Sequence, residues 1–269
     1  MQYAKQLARA GTVFLTGALI FLFLIFVTVP LISLFTRISA GDIWTALTSQ
    51  SAMNALMLSA VTALVSTVIV VLFGTPLAYI NARVAYPGRN IIDTLTDLPI
   101  VLPPTVAGLA LLTAFGANGL IGQYFSVFGF KVAFTTLAVV IAQVFVASPF
   151  YIRQARSSFE AVNVEYEYAS RTLGAGVVKT FFRVTLPLAA GSLLSGIVMT
   201  FARALGEFGA TMMFAGNLPG KTQTMPLAIY SEMQSDLAVS IALSIVLVVF
   251  SFAVILLVKY IGTKERKYA

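Results

Sequence analysis

Arg203 and Glu207 are charged residues in a stretch that is otherwise apolar, just past the charge-free run 184–202. A charge at the centre of a bilayer costs about 2.5–3.5 kcal/mol on insertion scales, so such groups turn toward the interior of a bundle. At positions i and i+4 the two share a helix face and can pair. Two chemistries fit this spacing. The pair can orient its helix, or Arg203 can lend positive potential to an anion pathway while Glu207 softens its hold so that the anion leaves. Catalysis is poorly served. The chain has no His and no Cys, which removes imidazole and thiolate chemistry and any His- or Cys-ligated metal. Asp97 and Glu207 are the acids that reach span depth, and two carboxylates do not assemble a nucleophilic or acid–base set.

The elements that hold these residues follow from composition. Of 269 residues, 59% are hydrophobic and 10% charged, where a soluble domain carries about 25% charged. Ten acids and 17 bases cannot clothe a water-soluble surface of this size. Uncharged runs cover 10–36, 43–82, 98–130, 132–152, 184–202 and 237–258, each able to hold a span of roughly 20 residues. The expected fold is all-α and integral to a membrane. It is a single transmembrane domain over 1–269, with six spans near 12–36, 55–80, 95–115, 133–151, 191–214 and 237–258. Lys5 and Arg9 give the first span the look of a signal peptide. Its apolar stretch from Thr12 to Phe35 exceeds a 7–15-residue signal core, so a retained first helix is expected.

Charge sets the orientation. With the N-terminus inside, segments 1–11, 81–94, 152–190 and 259–269 hold 13 of the 17 bases and the outer loops hold 3. That bias places both termini in the cytoplasm. It also accounts for the net charge of +7 without a nucleic-acid partner, because the bases are spread thinly between spans.

Within the spans, Pro103 and Pro104 fall inside the third and must distort it, either as a structural kink or as a bent helix lining a passage. On the fifth, Ser192, Gly196, Met199, Arg203, Gly206 and Ala210 follow helical spacing and are mostly small, a face that admits close approach of a second helix. With a second copy across a two-fold axis, this face, Ser195 included, could line a central passage. Thr211, Asn217, Thr222, Gln223 and Thr224 offer neutral donors near the outer end, suited to a tetrahedral dianion or to ordinary loop polarity.

The one long inside connection is 152–190. Phe159, Val162, Tyr166 and Ala169 keep helical spacing, with Glu160, Glu165 and Glu167 around them. Gly174 and Gly176 end that helix, a short amphipathic piece follows over Val177 to Val184, and Leu186-Pro187 turns the chain back to the membrane. Such a hairpin can dock in a partner's groove or lie on its own bundle.

The spacing Ala169-Ser170-x3-Gly174-x9-Val184-x-Leu186-Pro187 resembles the E-A-A-x3-G-x9-I-x-L-P signature of ABC importer permeases. Tyr168 stands in the place of the first Glu, with Glu167 beside it; Ser170 replaces the second Ala and Val184 the Ile. Phe201-Ala202-Arg203-Ala204-Leu205-Gly206-Glu207-Phe208-Gly209-Ala210-Thr211 and the run Ala215 to Leu227 resemble the fifth helix and following loop of molybdate permeases, and nearly as well those of sulfate permeases. Leu98 to Gly108 is similar to the third helix of the molybdate group.

The resemblance implies a type I importer permease of the cytoplasmic membrane of a prokaryote. It implies a homodimer that receives an oxyanion from an external binding protein and works with two cytoplasmic ATPase subunits. ATP and Mg would be bound by that partner, and no G-x4-G-K-[ST] stretch occurs in this chain. The coupling loop would comprise Glu165, Glu167, Tyr168, Ala169, Ser170, Gly174, Leu186 and Pro187. The pathway would comprise Ser195, Gly196, Met199, Arg203, Glu207 and Thr211. Molybdate or tungstate is the expected cargo, sulfate or thiosulfate the alternative. A passive anion channel leaves the long inside loop without a purpose.

Overall fold

The computed structural model describes residues 2–265, and no strand occurs among the described residues. Helix α1 (Gln2–Thr36) carries an apolar segment, Val13–Thr36, long enough at about 1.5 Å per residue for a hydrocarbon core of roughly 30 Å. None of that segment is buried within the chain. A short helix, α2 (Ala40–Thr48), starts on a capping box: Ser39 accepts from the Asp42 amide, and the Asp42 carboxylate accepts from the Ser39 amide.

Helix α3 (Gln50–Arg83) and helix α7 (Thr136–Ala161) form the heart of the bundle, with α10 (Leu186–Leu205) against both. Small side chains make the approach possible. Ala63, Ala78, Ala147, Ala155 and Ala204 have no exposed surface, and dispersion across such close faces replaces the hydrophobic drive that lipid cannot supply. Tyr151 of α7 is gripped from two sides. A Cβ on Gly74 of α3 would lie 3.1 Å from its ring and one on Gly196 of α10 3.4 Å, while Thr75 and the Tyr151 hydroxyl share a 2.6 Å hydrogen bond.

The third expected span is not one helix. Helix α4 (Arg89–Val101) stops, and α5 (Pro104–Phe115) begins at an angle of 116° to it. The reason is local. Pro103 and Pro104 donate no backbone hydrogen bond, and each pushes the residue before it out of the helical region, so Leu102 and Pro103 sit at ψ 132° and 136°. A short α6 (Gly122–Val127) follows α5, and among the described residues five helices are long and apolar enough to cross a membrane, the bent pair making up to six.

The fifth expected span differs too. Helix α10 ends at Leu205, and a short α11 (Gly209–Phe214) resumes after three residues. Two tight contacts dock α11 on α5: a Cβ on Gly209 would lie 2.5 Å from Pro104 Cβ, and one on Gly108 would lie 2.7 Å from the Ala210 carbonyl oxygen. Helix α12 (Met225–Ser235) returns toward the bundle and α13 (Leu237–Glu265) closes it, packing with α2 and α3 around Met225, Ala228 and Leu243.

Candidate functional site

The connection 152–190 is a helical hairpin. Helix α7 runs on to Ala161, and α8 (Val164–Thr172) starts with Asn163 as its cap, the side chain accepting from the Glu165 amide at 3.0 Å. Its end is a Schellman motif: Ala175 N–H donates to Ser170 O at 3.1 Å and Gly174 N–H to Arg171 O at 2.9 Å. Gly174 holds φ +83°, the left-handed region that glycine enters without strain. Helix α9 (Val177–Thr180) then passes through a π-helical turn, Phe181–Thr185, into α10. The Ser170 and Thr180 hydroxyls, 3.1 Å apart, tie the two arms together.

One side chain roots this hairpin in the bundle. Glu167 is 3% exposed, and Arg83 Nε at the end of α3 donates to its Oε1 at 2.9 Å. The Thr185 hydroxyl of the π-turn donates to the same oxygen at 2.9 Å, and the Tyr79 hydroxyl to Oε2 at 3.3 Å. Arg83 also donates from NH2 to the Val162 carbonyl at 2.9 Å, so one guanidinium straps both the entry and the first helix of the hairpin. Above the ion pair, Tyr79 packs against Phe181 and Phe159 with ring centroids 4.8 and 5.5 Å apart. The other side of the hairpin is bare. Tyr166, Tyr168, Val178 and Leu173 are exposed, Leu173 at 88%. Glu165 and Ala169 are exposed on the same helix, Ser170 and Leu186 are half-buried, and Pro187 stands in the first turn of α10.

A second ionic cluster clamps α4 to α7. Arg156 NH1 lies 2.6 Å from Asp93 Oδ2, and Arg153 Nε 2.6 Å from Asp97 Oδ1; Asn81, fully buried, donates to Asp93 at 2.7 Å. Asp97 is therefore paired with Arg153.

The residues expected along a passage divide. Arg203 and Glu207 pair at 2.7 Å, with Glu207 1% exposed and Arg203 30%. Glu207 lies beyond the end of α10, and its other oxygen accepts from the Ala210 amide at 2.9 Å, so it joins α10 to the start of α11. Ser195 and Met199 face outward from α10, whereas Gly196 is turned into α7, where a Cβ would meet Gln154 at 3.0 Å. Thr211 is buried. The donors expected near the outer end are largely turned inward: Thr222 donates to Gly216 O and accepts from Leu218 N–H, and Asn217 donates to Ser231 at 2.7 Å. Among the described residues, no group of three or more acids could hold a metal ion.

Sequence reasoning missed Arg83, Thr185 and Tyr79 as partners of the hairpin. The signal available was charge parity, since a carboxylate buried in a hairpin root requires a base beside it.

Comparison with known proteins identifies this architecture. Residues 72–267 match the family described as binding-protein-dependent transport system inner membrane component. The chain is 43% identical over 233 residues to the molybdenum transport system permease protein ModB of Mycobacterium tuberculosis, covering 87% of this chain and 88% of that one. It is 35% identical over 234 residues to the sulfate transport system permease protein CysT of Salmonella typhimurium, covering 86% and 84%. A solved bacterial ABC transporter involved in the import of the acidic polysaccharide alginate has a chain of the same fold, with TM-score 0.71, 16% identity and coverage of 98% and 99%. The chain belongs to the binding-protein-dependent transport system inner membrane components, the membrane-spanning permeases of ABC importers.

Proposed function

We propose that this permease passes molybdate, and tungstate with it, from an external binding protein to the cytoplasm by alternating access. The observation that carries the choice of ion is the 43% identity to a molybdenum permease against 35% to a sulfate permease over nearly the same span of chain. Two copies meet across a two-fold axis, both termini lie in the cytoplasm, and each copy's hairpin seats in a cytoplasmic ATPase subunit that binds ATP and Mg. Supporting the docking is the division of labour within the hairpin. Glu167, Thr185 and Ser170 hold it rigid, while Tyr168, Ala169 and Leu173 present bare apolar surface that water does not favour.

The π-turn Phe181–Thr185 joins that hairpin directly to α10, which carries Ser195, Met199 and Arg203. A push on the hairpin therefore reaches the passage through a continuous piece of chain, at a helix type that recurs at functional sites. The test is competition in proteoliposomes holding the complete transporter. Uptake of labelled molybdate blocked by tungstate and spared by excess sulfate supports the assignment; uptake blocked equally by sulfate moves the cargo to sulfate.

A further inference from the structure

We propose that the elbow between α4 and α5 is an oxyanion station, in which Arg203 holds the cargo and Glu207 takes the guanidinium back to release it. This rests on the permease reading above and adds to it a place and a device. The elbow encloses a cavity of about 120 Å³, lined by Pro99, Leu102 and Pro104 of the break, by Val146 and Phe150 of α7, and by Arg203. A single water needs roughly 10–15 Å³ of such space, so a five-atom tetrahedral anion has room. Helix α4 ends and α5 begins at this break, so their terminal dipoles oppose one another and Arg203 supplies the positive charge.

The larger cavity of the bundle cannot do this work. It measures about 770 Å³, is bounded by α3, α7, α9, the π-turn and α10, and its walls include Leu72, Tyr79, Phe182 and Leu194 but no charged side chain. A dianion placed there would lose its hydration with no countercharge.

The device lies in how the pair is held. An Arg has five N–H donors in a fixed fork, and the pair with Glu207 is Arg203's one polar contact among the described residues, made through NH1. Donors remain for an anion that enters the elbow. When the guanidinium turns away, the Ala210 amide still donates to the other oxygen of Glu207 at 2.9 Å, which offsets part of the cost of unpairing it and draws the guanidinium back. Two positions of one guanidinium follow, on Glu207 in the empty elbow and on the anion in the filled one. The carboxylate, fixed at 1% exposure, competes with the anion and keeps its residence short, as a translocator requires.

The natural chain has no Cys, so a single introduced thiol reports cleanly. Ile100→Cys, on the lining and 40% exposed, is labelled with an aqueous thiol reagent in the complete transporter in proteoliposomes, with and without tungstate. The expected result is slower labelling with tungstate. Adding Arg203→Gln should raise the tungstate needed for protection by roughly tenfold or more, Arg203→Lys by less, and Glu207→Gln should lower it while slowing uptake. Labelling indifferent to tungstate, or protection unchanged by Arg203→Gln in a transporter whose assembly is intact, overturns the station. Protection is read without transport. Protection without nucleotide-dependent uptake therefore sinks the importer reading alone, and uptake without protection sinks the station alone.

Discussion

Arg83 and Glu167 stand 84 positions apart in the chain and meet at 2.9 Å, 10% and 3% exposed at their side chains. This contact fixes the hairpin to the end of α3, and it does so with a charge that has left water. Burying an ion pair is weak evidence of net stability, but removing one partner strands the other and costs about 3–5 kcal/mol. Arg83→Ala should therefore lower the melting temperature of the purified permease markedly and abolish co-purification of the ATPase. Glu167→Gln keeps partners in Thr185 and Tyr79 and should do less of both. Equal effects of the two variants would show that the carboxylate's charge, and not its hydrogen bonds to Thr185 and Tyr79, is what holds the hairpin.

The tip of the hairpin makes the opposite prediction. Leu173 is 88% exposed and Tyr168 61%, so changing them disturbs little inside the chain. Leu173→Asp should stay within about 0.5 kcal/mol of the parent in stability. It should nevertheless lose ATPase binding, measured by co-purification, because a charge placed in an apolar contact has no partner. Retained binding would mean that the hairpin docks by another face.

A third prediction concerns the contact that builds the elbow. Gly209 of α11 faces Pro104 so closely that a Cβ would stand 2.5 Å from the proline's own. Gly209→Val should overpack this junction at a cost of about 1–3 kcal/mol and move the start of α5. Uptake should fall while ATPase co-purification persists, since the hairpin is rooted elsewhere. Loss of both together would place the two regions in one cooperative unit.

The sequence discloses the bundle better than the hairpin's root. Charge-free runs mark the spans because lipid tolerates no alternative, and the Pro103-Pro104 doublet announces a distortion, though not that it turns the chain through 116°. The expected helical face Phe159, Val162, Tyr166, Ala169 is buried only in its first half. The chain breaks after Ala161, α8 restarts from the Asn163 cap, and Tyr166 comes out 57% exposed while Glu167 goes in. Nothing local separates Glu167 from Glu165, since what distinguishes it is Arg83 at the end of a distant helix. Arg203 and Glu207 were legible as a pair from spacing alone. The helix end at Leu205 was not, although Gly206 and Gly209 flank the break.

On the proposed reading, an oxyanion crosses inward only when an ATPase works on the hairpin. The direct measurement is uptake of labelled molybdate into proteoliposomes holding the chain, its ATPase and its binding protein, with ATP and with a non-hydrolysable analogue. Uptake with ATP, absent with the analogue and absent again in Leu173→Asp, is the predicted result. Uptake that proceeds without hydrolysis would contradict it and describe a passive channel instead, and ATP-dependent uptake that survives in Leu173→Asp would contradict docking through that tip.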